Sequence, residues 1–173
     1  MPATSSALIG ELRADGANYK VIELKGEIVR SLSIESRFTL CNMLVEAGAK
    51  STILEVDGKT TNWLKKHKVR NTKPIFPDKG AYYSQILEFD ISHLEPQIAK
   101  PHRVDNVVPI SKIEGKKIDQ AFLGTCTNGR LEDLRIAASA IEGRITNPLP
   151  LLPFVQKKSP GLSSCMEFQN LTR

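Results

Sequence analysis

The sequence predicts an α/β layered fold, in which a parallel or mixed sheet packs against helices. Short apolar segments rich in β-branched residues alternate with longer segments whose apolar residues recur at helical spacing, which is the order typical of α/β proteins. Residues 118–142 have the pattern of a buried strand, a tight turn and a helix. The 173 residues, 40% hydrophobic and 25% charged, suffice for one domain or two small ones.

The first half of the chain begins with a predicted strand at residues 19–24, followed by a turn at Gly26. A helix is predicted next, because Ser33 can cap its N-terminus and Gly48 is placed to end it. The positions at helical spacing that should face the core are Phe38, Cys41, Leu44, Val45 and Gly48. Three polar residues fall on a different stripe of this helix: Thr39, Asn42 and Glu46.

The middle of the chain continues with a strand at 51–56 and a short helix at 60–68. A turn-rich loop is expected at 71–80 and a third strand at 82–91. Several prolines predict that 93–108 forms an irregular surface link, where a domain boundary is plausible.

The second half has a strand at 118–124, a turn, and a helix at 131–142 with Glu132 and Asp133 in its first turn. The tail, residues 145–173, carries four prolines and keeps neither a helical nor a strand period. We expect it to be an appendage.

Charge and composition exclude several classes of protein. The 24 basic and 19 acidic residues are interspersed, and the basic stretch at 65–70 lacks an interleaved aromatic platform, so we expect a solvated surface and no nucleic-acid partner. No apolar run is long enough to span a membrane, so no membrane association is expected. Residues 1–11 show no export signal, which predicts a cytoplasmic location. Three cysteines in such a chain are free thiols or metal ligands: Cys41, Cys126 and Cys165.

Cys126 is the most informative of the three, because it lies where a predicted strand ends and a helix begins. The helix dipole there lowers the pKa of a thiol and favours thiolate, for metal binding or for nucleophilic attack. A small buried hydrophobic role is the alternative. The surrounding residues do not match a phosphate loop, a cysteine phosphatase, a papain-like protease or a paired-cysteine zinc site.

Four blocks of the sequence together resemble the aconitase family. The most specific is IDQAFLGTCTNGRLEDL at 118–134, which is similar to the first iron–sulfur signature of the family. The others are SRFTLCNM with EAGAK at 36–50, LEFD through PHRVDNV at 87–107, and ADGANYK at 14–20. The resemblance covers residues 8–144 and is nearest to large subunits of the 3-isopropylmalate dehydratase type, with the homoaconitase type a near neighbour.

The resemblance implies an aconitase-like fold in which residues 8–96 form the second domain of the family and 97–144 begin the third. It implies a hydro-lyase of leucine or related amino-acid biosynthesis, which dehydrates and rehydrates a hydroxy-dicarboxylate through an enoic acid. It implies a 4Fe-4S cluster held by three cysteines, with Cys126 as the first metal ligand and Asn128 beside it in cofactor binding. It places Asn42 and Glu46 next to the cluster as catalytic residues, whereas Cys41 matches no ligand.

The chain also departs from the pattern of the family. The further N-terminal domain and the downstream C-x-x-C pair are not found in this sequence, and Cys165 alone cannot replace two ligands. We therefore interpret the chain as part of a truncated or frame-shifted gene, inactive alone, with 145–173 as divergent sequence. A short protein whose tail has its own role is the alternative.

Two other functions stay open. The chain can be an assembly module that binds a small subunit or another aconitase-family chain, or a thiol sensor that works through Cys126. In all three cases, a third domain that is only begun should leave Phe122, Leu134 and Ile136 poorly covered.

Overall fold

Two parallel strands and the helices that connect them form the centre of the first part of the chain. In the computed structural model, β1 (Val21–Leu24) pairs in parallel with β2 (Ser51–Leu54), with Val21 opposite Ser51 and Leu24 opposite Leu54. The structure describes residues 2–117, 121–125, 127, 129–142, 151–157 and 164–167. These divide into two compact units, Met1–Ile113 and Glu114–Arg173, so each unit is described by itself. The α/β class predicted from the sequence is confirmed.

The crossover between these strands has the capping residues that the sequence predicts. After α2 (Glu27–Ser31), the Ser33 side chain accepts a hydrogen bond from the backbone N–H of Ser36 and caps α3 (Ile34–Met43). A 3₁₀ turn, Leu44–Ala47, extends α3 and ends at Gly48, whose φ of 84° lies in the left-handed region. A Cβ atom at Gly48 would also lie 2.1 Å from Oδ1 of Asn18, so this position requires glycine.

The predicted core face of α3 is right at one position and wrong at others. Leu44 is buried as predicted, but Phe38 and Val45 are 40% and 58% exposed, and the buried Leu40 was not among the predicted residues. The prediction treated residues 33–48 as one α-helix and took apolar character as the sign of burial. The true buried stripe includes Arg37 and Thr39, because a buried ion pair and a hydroxyl that bonds the backbone carbonyl of Glu35 occupy that side.

Helix α1 (Pro2–Leu12) supplies the other half of the core and was not predicted from the sequence. Its Leu8 and Ile9 pack with Leu32, Leu40 and Leu44 in the main buried cluster. Gly10 lets α1 approach the strand that contains Val107 closely, since a Cβ atom at Gly10 would lie 3.0 Å from Cβ of Val107. The close approach explains why a segment with few large side chains can still bury one face.

The remainder of the first unit contains a short helix and a hairpin. Helix α4 (Gly58–Lys66) agrees with the predicted helix at 60–68, and 67–96 contains no helix or strand, so the strand predicted at 82–91 is wrong. The segment predicted to be an irregular link contains β3 (Gln97–Ala99), paired antiparallel with β4 (Val107–Pro109). A second 3₁₀ turn, Ile110–Lys112, follows β4. The family boundary proposed between residues 96 and 97 stays a prediction.

The second unit contains the predicted strand and helix. Strand β5 (Ala121–Leu123) is followed by α5 (Leu131–Ile141), as the sequence predicts. The tail, whose role as an appendage stays a prediction, contains two strands: β6 (Leu151–Lys157) pairs in parallel with β5, and β7 (Ser164–Glu167) pairs antiparallel with β6. Ile136 is 63% exposed, as expected, and Leu134 is half-buried, while the side chain of Phe122 lies outside the described residues.

Candidate functional site

The predicted catalytic residues lie at the carboxyl end of α3. Asn42 is in the last turn of α3, and Glu46 is in the 3₁₀ turn that follows. Both side chains are exposed, and neither makes a hydrogen bond or an ion pair within the part of the chain that the structure describes. An α-helix has 3.6 residues per turn and a 3₁₀ turn has 3, so each residue of the 3₁₀ turn adds a larger rotation about the axis. Glu46 therefore lies further around the axis from Asn42 than it would in one continuous α-helix. Their shared role stays a prediction.

Cys41 precedes Asn42 and behaves as a packed thiol. It is half-buried, and burial raises the pKa of its thiol. A thiolate is the form that attacks substrates and binds metals, so this environment disfavours both roles. The placement agrees with the reading of Cys41 as a residue that is not a ligand.

An ion pair at the other end of α3 fixes the orientation of the helix. The guanidinium of Arg37 donates hydrogen bonds from Nη2 to Oδ2 of Asp57 and from Nη1 to the hydroxyl of Thr60, the latter at 3.1 Å. Nη2 also contacts the carbonyl oxygen of Arg30 at 3.2 Å. The guanidinium is almost fully buried, and it holds the pKa of the Asp57 carboxyl far below its ordinary value.

Asp57 also caps α4, because its Oδ1 accepts the backbone N–H of Thr60 at 2.9 Å. Lys59, in the first turn of α4, donates to the carbonyl oxygens at the end of α2, from Arg30 at 2.9 Å, Ser31 at 2.7 Å and Leu32 at 3.2 Å. This junction of three helix ends was missed by the sequence analysis. The sequence signal available was Asp57 three residues before Thr60. This spacing indicates a helix cap but does not reveal that Asp57 pairs with the distant Arg37.

A second polar cluster attaches the irregular segment 67–96 to β1. The hydroxyl of Tyr83 donates to Oε2 of Glu23 at 2.7 Å and accepts from the ammonium of Lys25 at 3.1 Å. The hydrogen bond from Tyr83 lowers the pKa of Glu23, and bonds to Tyr83 and Glu23 raise the pKa of Lys25. These bonds attach the segment 67–96 to the end of β1 at Tyr83, although the segment itself contains no helix or strand.

The basic stretch at the end of α4 has aromatic neighbours that the sequence did not reveal. The ring of His67 stacks on Trp63 with centroids 3.8 Å apart, and Phe38 of α3 meets Trp63 edge-on at 5.4 Å. Trp63 comes from the preceding turn of α4 and Phe38 from a distant helix, so these rings lie beside a stretch whose own sequence has no interleaved Phe, Tyr or Trp. The absence of a nucleic-acid partner stays a prediction.

The turn that carries the predicted cluster ligand lies between β5 and α5. Cys126 and Asn128 are outside the described residues, so their placement as cofactor-binding residues stays a prediction. Around them, Nη1 of Arg130 donates to the carbonyl oxygen of Thr127 at 2.9 Å, and the N–H of Arg130 donates to Oδ2 of Asp133 at 2.9 Å. The second bond is the aspartate cap that starts α5.

The described residues contain no group of three or more His, Cys, Asp or Glu side chains able to hold a metal ion. Cys41 is a packed thiol, and nothing is described of the Cys165 side chain in β7. The described residues therefore do not form the donor set of a 4Fe-4S cluster. In the same part of the chain, no helix is long and apolar enough to cross a membrane.

Comparison with known proteins gives one consistent result. The model of the family described as "Aconitase family (aconitate hydratase)" matches residues 6–115. A 3-isopropylmalate dehydratase large subunit 1 of Methanopyrus kandleri is 50% identical over 134 residues, which is 78% of this chain and 32% of the relative.

Two further relatives agree. A probable methanogen homoaconitase large subunit of Methanosarcina mazei is 47% identical over 79% of this chain and 35% of its own length. A 3-isopropylmalate dehydratase large subunit 1 of Pyrococcus furiosus is 46% identical over 87% of this chain and 38% of its own length. The chain thus spans about a third of the length of the curated relatives it matches.

Proposed function

Because the chain belongs to the aconitase family, we propose that it forms part of the active site of a hydro-lyase large subunit of the 3-isopropylmalate dehydratase or homoaconitase type. Such an enzyme isomerises a hydroxy-dicarboxylate by removing water to give an enoic acid and adding it back at the neighbouring carbon. The observation that carries the proposal is that Asn42 and Glu46 are both exposed, since the resemblance described above assigns them to the asparagine and glutamate of the family site. Both are free to contact a ligand, since neither has a partner among the described residues.

The chemistry of the pair suits this reaction. The Glu46 carboxylate can accept a proton, and the Asn42 amide can donate to a carboxylate and accept from a hydroxyl. The 4Fe-4S cluster of the family supplies Lewis-acid polarisation of the substrate hydroxyl when it is bound. Since the described residues do not form the donor set, we assign this chain no step through the cluster.

The proposal includes the inactivity of the isolated chain. Cys126 would supply one of the three cluster ligands, and the other two would come from residues outside this sequence. The curated relatives are named large subunits, so a small subunit, or another aconitase-family chain, is the expected partner.

Anaerobic reconstitution with iron and sulfide tests the proposal. The chain alone should give no stable cubane absorption and no dehydratase activity. Mixing it with the remaining two-thirds of the Methanopyrus kandleri large subunit and a cognate small subunit should give both. A stoichiometric and active cluster in the isolated chain would contradict the proposal.

Substitutions in the reconstituted mixture test the two site residues. Glu46→Gln should lower kcat at least about a hundredfold, because it removes a proton acceptor. Asn42→Ala should lower activity as well, through lost contacts to the substrate. Glu11→Gln, at an exposed glutamate of α1, is the matched control and should leave activity unchanged.

A second candidate function, a partner-binding module without catalysis, is favoured by the segment 67–96. Seven large apolar side chains of this segment are well exposed: Val69, Ile75, Phe76, Tyr82, Ile86, Leu87 and Phe89. Exposed apolar side chains concentrated in one segment are typical of interaction surfaces. Copurification with an aconitase-family polypeptide, lost in a Phe76→Ser and Ile86→Ser double variant, is expected if the module binds such a partner. Failure to copurify would remove this candidate.

The thiol-sensor function stays a hypothesis. It predicts that Cys126→Ser abolishes the reaction with a thiol-selective reagent near neutral pH. Equal labelling of Cys41 and Cys165 would leave it without support.

A further inference from the structure

A polar cavity of about 380 Å³ lies where the end of α1 meets the turn between β3 and β4. Its lining residues are Arg13, Arg103, Asp105 and Asn106, of which none belongs to the site discussed above. The lining side chains thus include two guanidinium groups, one amide and one carboxylate. They offer more hydrogen-bond donors than acceptors, which suits an oxyanion better than a cation or an apolar ligand.

The guanidinium of Arg103 is fixed along one edge. Its Nε donates to Oδ1 of Asp105 at 2.9 Å, and its Nη2 donates to Oδ2 at 2.7 Å. A guanidinium has five N–H donors, so this bidentate pair leaves three for another acceptor. The Arg103 side chain is mostly exposed, which keeps these donors accessible.

Asp105 connects this guanidinium to α1. Asp105 is buried, and its Oδ2 also accepts a hydrogen bond from the backbone N–H of Ala14 at 3.3 Å. The Asp105 carboxylate therefore joins the β3–β4 turn to Ala14, two residues beyond the end of α1. This link holds the backbone of Arg13 at a defined distance from Arg103.

The backbone of Arg13 has a positive φ, which is uncommon for a residue other than glycine. Its φ is 65°, in the left-handed region, at the position after a helix where glycine is favoured. Its guanidinium makes no hydrogen bond or ion pair with any residue that the structure describes. The lining of the cavity thus includes a cation that has no partner among the described residues.

We propose that this cavity binds a small oxyanion, a phosphate or a carboxylate, between Arg13 and the free edge of Arg103. Arg103 provides two parallel N–H donors, Arg13 provides charge and a further donor, and the Asn106 amide completes the rim. Asp15 interacts electrostatically with Arg103, so the local charge is nearly balanced. Recognition rests on donor geometry, and we expect millimolar affinity that weakens as salt is added.

Titration of the full chain with inorganic phosphate, and separately with malonate, followed by amide chemical shifts, tests the proposal. The amide signals of Ala14 and Asn106 should shift and saturate. Saturation by phosphate alone, by malonate alone or by both supports the site and identifies the preferred oxyanion. The absence of a saturable shift with either anion overturns the proposal.

Arg13→Gly is the decisive variant, because it removes the guanidinium and relieves the backbone. Its Tm should equal or exceed that of the wild type, so unfolding cannot explain a loss of binding. The affinity should fall at least about fivefold. Arg70→Gln, which removes an exposed arginine elsewhere in the same unit, should leave affinity unchanged. Equal affinities of Arg13→Gly and wild type overturn the proposal.

Arg103→Lys separates geometry from charge. Lysine keeps the cation but loses the planar fork, so affinity should fall although the charge of the cavity is unchanged. Wild-type affinity in Arg103→Lys would overturn the bidentate role of Arg103.

Discussion

The junction of α2, α3 and α4 and the junction of α1 with the β3–β4 turn both contain an arginine–aspartate pair, but they bury opposite partners. At the first junction the Arg37 side chain is 5% exposed and Asp57 is 25% exposed. At the second, Arg103 is 71% exposed and Asp105 is 2% exposed. The same pair of residue types therefore serves two purposes. Asp57 neutralises a buried cation, whereas Arg103 neutralises a buried anion and keeps donors facing solvent.

This difference predicts which member of each pair is the more damaging to lose. Removing one partner of a buried pair is costly when the other is left charged and buried, and mild when the other can return to water. The damaging substitution in each pair should be the one at the more exposed residue.

The largest effect is expected for Asp57→Ala. It leaves the Arg37 guanidinium buried without a counterion and removes the cap of α4. We expect a loss of about 3 kcal/mol in the free energy of unfolding, measured by urea denaturation. Arg37→Met should cost less, because Asp57 can turn toward solvent and still cap α4. A larger loss for Arg37→Met would contradict the comparison.

The second prediction reverses the order in the other pair. Arg103→Met leaves the buried Asp105 carboxylate without its arginine, whereas Asp105→Asn leaves an exposed arginine that water can solvate. Arg103→Met should therefore lower Tm more than Asp105→Asn does. Both shifts should be smaller than that of Asp57→Ala, and thermal melts of the three variants in one buffer check the order.

The third prediction concerns acid. Hydrogen bonds from Arg37 and from Arg103 lower the folded-state pKa of Asp57 and of Asp105, respectively. A group of this kind stabilises the fold fully above its unfolded pKa of about 4, and that contribution is lost as pH falls toward the lower folded pKa. Unfolding free energies measured from pH 6 to pH 2 should therefore decline below about pH 4. Asp57→Asn should flatten this decline more than Asp105→Asn, because the pKa of Asp57 is lowered further. Parallel curves for the two variants would refute this.

The smallest effect is expected for Lys59→Met, at the first junction. The ammonium of Lys59 bonds three carbonyl oxygens at the end of α2, but the residue is exposed and water can replace it. We expect a loss of about 0.5 kcal/mol. Lys73→Met, at an exposed lysine outside the helices, is the control and should be neutral. A loss as large as that of Asp57→Ala would show that the carbonyls, not the ion pair, hold this junction.

Local signals in the sequence were reliable where a single residue determines the backbone. Ser33 and Gly48 mark the two ends of the helical segment as predicted, and the strands around it pair in parallel. These features depend on neighbours within a few residues, through a capping side chain or a positive φ. The block around residue 126 likewise indicated the family, which the comparisons confirm.

Predictions that depended on distant partners failed. Apolar residues at 82–91 predicted a strand, yet a strand needs a neighbour to pair with, and this segment contacts β1 through Tyr83 instead. Helix α1 was missed because it becomes buried only where it packs on α3 and β4. The buried side of α3 was predicted correctly at Leu44 but not at Arg37, which pairs with a residue 20 positions away.

The sequence by itself determined the α/β class, the caps and turns, and the family, because these follow from local backbone preferences and from motifs of adjacent residues, and the family resemblance named the candidate catalytic pair. Only the tertiary structure decided which arginine is buried and which carboxylate, that Asn42 and Glu46 are exposed without partners among the described residues, and that Arg13 and Arg103 line one cavity. The physical reason is that burial and charge pairing are properties of residues brought together from far apart in the chain, and no local pattern specifies which residues those are.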